Sequence, residues 1–217
     1  MQEVLDLIEA VAPTDATVLI QGESGTGKEM VAQALHESSA CCGREMVTVD
    51  GGTLQETLFE SEIFGHERGA FTSAERQKKG LIEEAEGSTL FLDEIGETSP
   101  AIQAKLLRVL ETNTFRRLGG TRVLKANVRF VVASNRDLAE MSQAGSFRSD
   151  LYFRLASFVI HVPPLRERRE DIPLLAEHFL QRFARGIERK LTPDALQLLM
   201  VYDWPGNVRE LRNLIER

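Results

Sequence analysis

Apolar and polar positions follow two alternating rhythms in the first three quarters of this chain and a single rhythm after that. Short apolar runs at Val18–Gln21, 46–50, 89–92, 128–134 and 158–162 are bounded by turn-forming residues. Runs of that length and setting predict five buried strands. Between them the spacing becomes helical, as with Met30, Ala34 and Leu35 in the segment 29–37. Strands alternating with helices predict an α/β fold, a parallel sheet covered by helices on both faces. Pro163 and Pro164 end the last strand, because proline has no donor for a sheet ladder and restricts the residue before it. Only helical spacing follows, at 172–183, 193–202 and 208–217, interrupted by Asp203, Trp204, Pro205 and Gly206. Thr192 is the expected N-cap of the middle helix, with Pro193 at its first position. The division predicts an α/β domain over 1–164 and a small helical domain over 165–217, joined by the charged stretch 166–171.

Composition narrows the class. Of 217 residues, 42% are hydrophobic and 27% charged, which is ordinary for a soluble protein. No apolar run approaches the ~20 residues of a membrane helix. The first ten residues carry Glu3, Asp6 and Glu9, where a secretory signal has a basic start and an apolar core. A cytoplasmic protein with no membrane partner is expected. Cys41 and Cys42 are the only cysteines and are adjacent, so they supply neither a disulfide framework nor a spaced zinc-ligand set, and no role is assigned to them. A net charge of −7 argues against broad contact with nucleic-acid phosphates.

The candidate chemistry sits at strand ends. Gly22, Glu23, Ser24, Gly25, Thr26, Gly27 and Lys28 fit the pattern G-x-x-x-x-G-K between a strand and a helix. Such a loop turns backbone N–H groups toward a phosphate, and Lys28 is expected to reach the β- and γ-phosphates of a nucleotide. Glu29 stands where a Ser or Thr commonly binds magnesium, so the metal must lean on other ligands. The run 90–94, LFLDE, delivers two carboxylates at the end of a buried strand. Asp93 is the candidate magnesium ligand, through water, and Glu94 the candidate to orient or deprotonate an attacking water. Asn135 ends the fourth strand, where an amide can register a γ-phosphate or simply cap a turn. Arg148 and Arg154 lie among apolar residues in 147–155. Either serves phosphoryl transfer, often from another subunit, or a structural salt bridge, for instance with Asp150. Arg209 falls in the first turn of the last helix, ordinarily a surface position.

Seven blocks carry a family resemblance: GESGTGKE at 22–29, ESEIFGHERGAFTSA at 60–74, GSTLFLDEI at 87–95, LLRVLE at 106–111, FRSDLYFRL at 147–155, VPPLRERREDI at 162–172 and WPGNVRELRN at 204–213. In this order they resemble the AAA+ domain of bacterial enhancer-binding proteins, the activators of sigma-54 RNA polymerase. That family's P-loop also ends in Glu, so Glu29 fits it. The resemblance implies a P-loop NTPase core with a helical lid, bound to ATP and Mg and working as a ring, commonly a hexamer. It implies Arg148 and Arg154 as fingers acting in trans and Arg209 as a nucleotide-sensing lid arginine. An insertion near 60–83 would carry the loop whose Phe71 and Thr72 contact the sigma factor. ATP hydrolysis would then remodel the closed promoter complex.

Two positions depart from the family. Ser73 replaces a glycine of the GAFTGA loop, which costs about 1 kcal/mol if positive φ is required there. Asp50 stands where many members carry an Asn proposed to restrain the glutamate at the position of Glu94, and an ionised carboxylate cannot donate a hydrogen bond to Glu94. Members also carry a signal-receiving domain and a C-terminal helix-turn-helix domain that binds DNA. Neither lies within these 217 residues, so a fragment is expected. The competing reading is an ATP-binding regulatory switch that does not remodel the sigma factor, against which Phe71 and Thr72 both argue. A clamp loader or helicase would have no use for this loop.

Overall fold

The computed structural model describes residues 1–52, 56–72, 74–183 and 190–217. In chain order they form α1 (Gln2–Val11), β1 (Val18–Gln21), α2 (Lys28–Glu37), β2 (Val47–Asp50), α3 (Glu56–Phe64), α4 (Leu81–Glu84), β3 (Thr89–Asp93) and α5 (Pro100–Thr112). There follow β4 (Thr114–Phe115), β5 (Leu124–Lys125), β6 (Arg129–Ser134), α6 (Leu138–Gln143), α7 (Ser149–Leu155), β7 (Phe158–His161), α8 (Ile172–Phe183), α9 (Pro193–Val201) and α10 (Asn207–Glu216). The five predicted strands are present within a residue of their expected ends and make one sheet, ordered β2-β3-β6-β1-β7. Every neighbouring pair is parallel, so the chain crosses over between strands through helices.

Alternation along each strand feeds two cores. Leu19, Leu90, Leu92, Phe130 and Val132 point to one face, where α3 to α7 cover them with Ile63, Ile102, Leu106 and Leu151. Val18, Ile20, Phe91, Val131, Ala133 and Ile160 point to the other, beneath α1 and α2 with Val4, Ile8, Val31 and Leu35. All six residues of β6 are buried, as a central strand requires. Arg129 at its start is buried too, and its guanidinium donates to the carbonyls of Val11 and Ala12, satisfying the C-terminal end of α1.

The helical segment packs around its own cluster of Leu165, Ile172, Phe179, Trp204 and Leu211. Thr192 caps α9 as expected, its hydroxyl accepting from the Ala195 N–H at 3.2 Å with Pro193 next in line. Among the described residues no helix is long and apolar enough to cross a membrane.

Two features escape the hydrophobic pattern. Two-residue strands β4 and β5 pair antiparallel in a hairpin after α5. Between α3 and α4 the chain leaves the sheet as a loop, held at its base where His66 bridges Lys78 and Leu118. Arg117 fastens hairpin to loop: its largely buried guanidinium donates to both oxygens of Glu83 at 2.7 and 2.6 Å and to Glu67 at 3.0 Å.

Candidate active site

The glycine-rich loop continues β1 without a break, the Gly22 N–H donating to the Ser134 carbonyl of neighbouring β6 at 3.2 Å. Its turn needs φ of 78° at Gly25 and 103° at Gly27, values that side chains disfavour. Lys28 opens α2 and is 6% exposed. Its ammonium donates to the carbonyls of Gly22 at 3.0 Å and Glu23 at 3.3 Å, and the Thr26 hydroxyl also donates to Glu23, at 2.8 Å. The loop is thus closed on its own lysine, with main-chain N–H groups at the start of α2 as further donors. Burial pulls the Lys28 amine below its ordinary range, and the carboxylates of Glu94 and Asp93 act against that pull. Glu29 and Ser24 face solvent.

Those carboxylates arrive on β3, paired with β2 so that Asp93 stands beside Asp50. Glu94 follows the strand in a left-handed conformation at φ 53°, ψ 43°, unusual for a residue with a side chain. Holding it there takes on the order of 1–2 kcal/mol from the surrounding fold. One Glu94 oxygen, Oε2, is buried without a hydrogen-bond partner among the described residues. Burial raises the Glu94 carboxyl above the usual range, Lys28 opposes this, and the charges of Asp93 and Asp50 add to it. A main-chain N–H at Asn135 also favours the ionised form. Asn135 itself is exposed just past β6, so the end of that strand reaches the same place. Asp50 is turned back on its own loop, its Oδ1 accepting from the Gly52 N–H at 2.8 Å, and its influence on Glu94 is electrostatic.

The helical segment closes over this loop. Val208 and Arg209 N–H groups reach the Gly25 carbonyl at 3.0 and 3.4 Å, and the Arg209 guanidinium donates to the Ser24 hydroxyl at 3.1 Å. Arg209 also acts on Lys28 through its charge. A side chain at Gly25 would stand 2.5 Å from the Gly206 carbonyl oxygen. Three further groups, not singled out by sequence reasoning, bind the loop: Arg166 pairs with both oxygens of Glu23, Asn207 donates to Glu23 and to the Ser24 carbonyl, and buried Arg168 donates to the Thr26 carbonyl at 2.6 Å. A signal existed for Asn207, an asparagine directly after Pro-Gly at a helix start, where φ of 52° suits it.

Arg148 and Arg154 do not join this cluster. Arg148 pairs with Asp150, Nε to Oδ1 at 3.0 Å and Nη2 to Oδ2 at 2.7 Å, the structural pairing noted above as an alternative. Arg154 donates to the Leu110 carbonyl at 2.9 Å and lines a cavity with Cys41, Asn127 and Arg129, where β6 begins. The glycine-rich loop lies where β6 ends, about 17 Å away at 3.3 Å per residue. Phe71 is half-buried with its ring edge against His66, centroids 5.0 Å apart, while Thr72 is exposed. Ser73 lies outside the described residues.

Comparison with known proteins agrees with this architecture. Residues 1–161 match the model of the Sigma-54 interaction domain, and residues 166–217 match that of an AAA+ ATPase lid domain. The transcriptional regulatory protein ZraR of Salmonella typhimurium is 54% identical over 220 residues, covering all of this chain and 50% of the relative. The nitrogen fixation protein AnfA of Azotobacter vinelandii is 54% identical over 221 residues, covering all of this chain and 41% of AnfA. The chain thus spans about half the length of the curated relatives it matches. Crystal structures of NtrX from Brucella abortus superpose over the whole chain. The complex with ADP gives a TM-score of 0.93 at 42% identity and the complex with ATP 0.91 at 41%, each using about half of NtrX. With its five-stranded parallel core, its glycine-rich loop and the helical segment closed over it, this chain belongs to the sigma-54 interaction domain family of AAA+ proteins.

Proposed function

We propose that this chain is the ATP-hydrolysing motor of a sigma-54-dependent transcriptional activator, with residues 1–164 as the nucleotide-binding domain and 165–217 as its lid. The reading is carried by one observation: the Lys28 ammonium closes a glycine-rich loop within reach of the charges of Asp93 and Glu94 at the end of β3. The ATP and ADP complexes of NtrX support a nucleotide there, as does a cavity of about 450 Å³ beside Gly22, walled in part by Val4, Leu7, Val162 and Pro163.

In this reading the β- and γ-phosphates draw Lys28 away from the Gly22 and Glu23 carbonyls and take up the loop N–H groups. Glu94 accepts a proton from the attacking water through its unpartnered oxygen. Asn135 lies close to the transferred phosphoryl group, and Arg209 approaches from the lid through the Ser24 side. Magnesium fits the donors present, since it needs only one or two carboxylates beside phosphate and water oxygens, and no cluster of three or more metal-binding side chains occurs among the described residues. Asp93 would hold it through water, and bound there it would neutralise phosphate charge. Arg154, at the far end of β6 from the loop, and Arg148, engaged with Asp150, act on the site of an adjacent copy in a ring.

Mechanical output is assigned to Phe71 and Thr72 in the loop between α3 and α4. Sigma-54 captured by the chain in the presence of ATP with a transition-state mimic of the γ-phosphate tests the motor reading against a nucleotide switch. Capture is the expected result; nucleotide binding with no capture is what the switch predicts. Thr72→Ala sharpens the test, because an exposed hydroxyl is lost while Lys28, Asp93 and Glu94 are untouched. Turnover is expected within twofold of the parent and capture at least tenfold weaker, about 1.4 kcal/mol. Parental capture by Thr72→Ala would remove this residue from the contact.

A further inference from the structure

Glu23 faces two ways. Its main-chain carbonyl accepts from the Lys28 ammonium and the Thr26 hydroxyl on the phosphate side. Its carboxylate accepts from Arg166 at 2.8 and 2.6 Å and from the Asn207 amide at 3.2 Å on the helical side. Arg166 belongs to the 3-10 turn Leu165–Glu167 that starts the helical segment, and Asn207 begins α10. Hydrogen bonds from Arg166 and then Asn207 hold the Glu23 carboxyl down at about 2, so its contribution to stability is full above pH ~4.5 and fades only toward pH 2. The carboxylate therefore remains a fixed anion at any working pH.

We propose that Glu23 is the positioning residue through which phosphate occupancy of the loop sets the orientation of the helical segment, with Arg166 and Asn207 as its receivers. The proposal rests on the reading that the loop takes a nucleotide. A phosphate competes for the ammonium that now closes the loop: the Gly22 and Glu23 carbonyls take two of its three N–H donors, and an anion draws the charge away from these neutral acceptors. Once Lys28 turns, the Glu23 carbonyl loses its charged donor and keeps only the Thr26 hydroxyl and N–H, which belong to the same loop and shift with it. The shift is transmitted because both carboxylate oxygens are clamped by groups of another segment.

Asn207 cannot absorb the movement by itself. It is fully buried, accepts from the Leu165 N–H at 2.8 Å and donates to the Ser24 carbonyl at 3.0 Å. It also sits next to Gly206, whose carbonyl leaves no room for a side chain at Gly25. Two arrangements, lysine on its own loop or lysine on phosphate, thus correspond to two settings of one clamp, and each ligand state biases it.

A purely structural ion pair makes a different prediction. Arg166 and Glu23 are each about two-fifths exposed, and pairs of that kind contribute little to stability. The protein carries its own reporter: Trp204, its single tryptophan, is buried in the turn before Gly206, with its indole N–H on the Leu199 carbonyl and its ring edge on Tyr202. The experiment measures, for parent, Arg166→Ala, Arg166→Lys and Glu23→Gln, the affinity for a non-hydrolysable ATP analogue with magnesium and the change in Trp204 emission at saturation. Arg166→Ala is expected to bind within threefold of the parent and to lose at least half of the emission change. Arg166→Lys, which keeps the charge, should retain most of it, and Glu23→Gln should lose it as Arg166→Ala does. A full-sized change in Arg166→Ala, or no change in a parent that binds the analogue, would overturn the coupling. Binding weakened more than tenfold in Arg166→Ala would also overturn it, by showing that the pair only shapes the loop. Failure of the parent to bind the analogue is a separate outcome, and it removes the nucleotide reading together with this one.

Discussion

Glu94→Gln is expected to bind ATP within a few-fold of the parent and to hydrolyse it at least 100-fold more slowly, the usual scale for losing a positioned general base. Gln keeps the shape and one acceptor oxygen, so the left-handed backbone at this position, which packing maintains, should persist. What disappears is the ability to take a proton. Since burial raises the Glu94 carboxyl above its ordinary range, the parent should lose turnover as pH falls through that raised value, and this acidic limb should vanish from the residual activity of the variant. The same shift has a second consequence. An acid whose folded-state pKa is raised contributes stability that is present at low pH and lost as pH rises through the raised value. Replacing it by a neutral amide should accordingly raise the thermal midpoint at neutral pH. Binding and single-turnover measurements across pH, with melting curves, decide the matter. Near-parental turnover would assign water activation to another group, and a lower melting point would mean that the Glu94 charge is compensated in the fold.

The parts of the molecule legible in sequence are those governed by local rules. Five strands declared themselves because each is a short apolar run ended by a turn, and the glycine-rich loop because positive φ and close backbone packing leave few alternatives to glycine. Thr192 with Pro193 marked a helix start for the same kind of reason. The hairpin β4–β5 gave no such signal. Its strands are two residues long, and its place is fixed by contacts far along the chain, including the bridge from Leu118 to His66 and the Arg117 pairs with Glu67 and Glu83. Helix α3 is poorly amphipathic, with Phe59, Ser61, Ile63 and Phe64 all buried, so no polar stripe announces it. The clamp on Glu23 was equally silent, because Arg166 reaches a partner 143 residues away and a charged stretch in a connection has no periodicity to interpret. Asp93, Glu94 and Lys28 lie near one another because parallel strands all deliver their last residues to one edge. Arg154 lies at the opposite end of β6, and Arg148 is engaged with Asp150, so residue type alone does not bring either to that site.

That last point sets the sharpest test of assembly. Arg154 donates to a main-chain carbonyl and has no carboxylate partner among the described residues, so its guanidinium can be redirected without breaking an ion pair, whereas Arg148 must first leave Asp150. Arg154→Ala alone should lose on the order of 10³ in turnover, the scale of an arginine finger, while keeping its own Lys28, Asp93 and Glu94. Glu94→Gln alone should be at least 100-fold slower than the parent as well, while keeping its arginines. Mixing the two variants creates interfaces at which the Arg154→Ala subunit holds ATP and the Glu94→Gln subunit supplies the finger. With random assembly of equal amounts, about one interface in four is complete. Turnover should then rise at least tenfold above the sum of the separate variants and peak near equal mixing. A double variant carrying both changes should give no such rise when mixed with Arg154→Ala, because it still offers Arg148 but not Arg154. If subunits carrying different mass tags are shown to share rings and turnover stays flat at every ratio, Arg154 does not act across the interface. Its bond to Leu110 would then be its whole role.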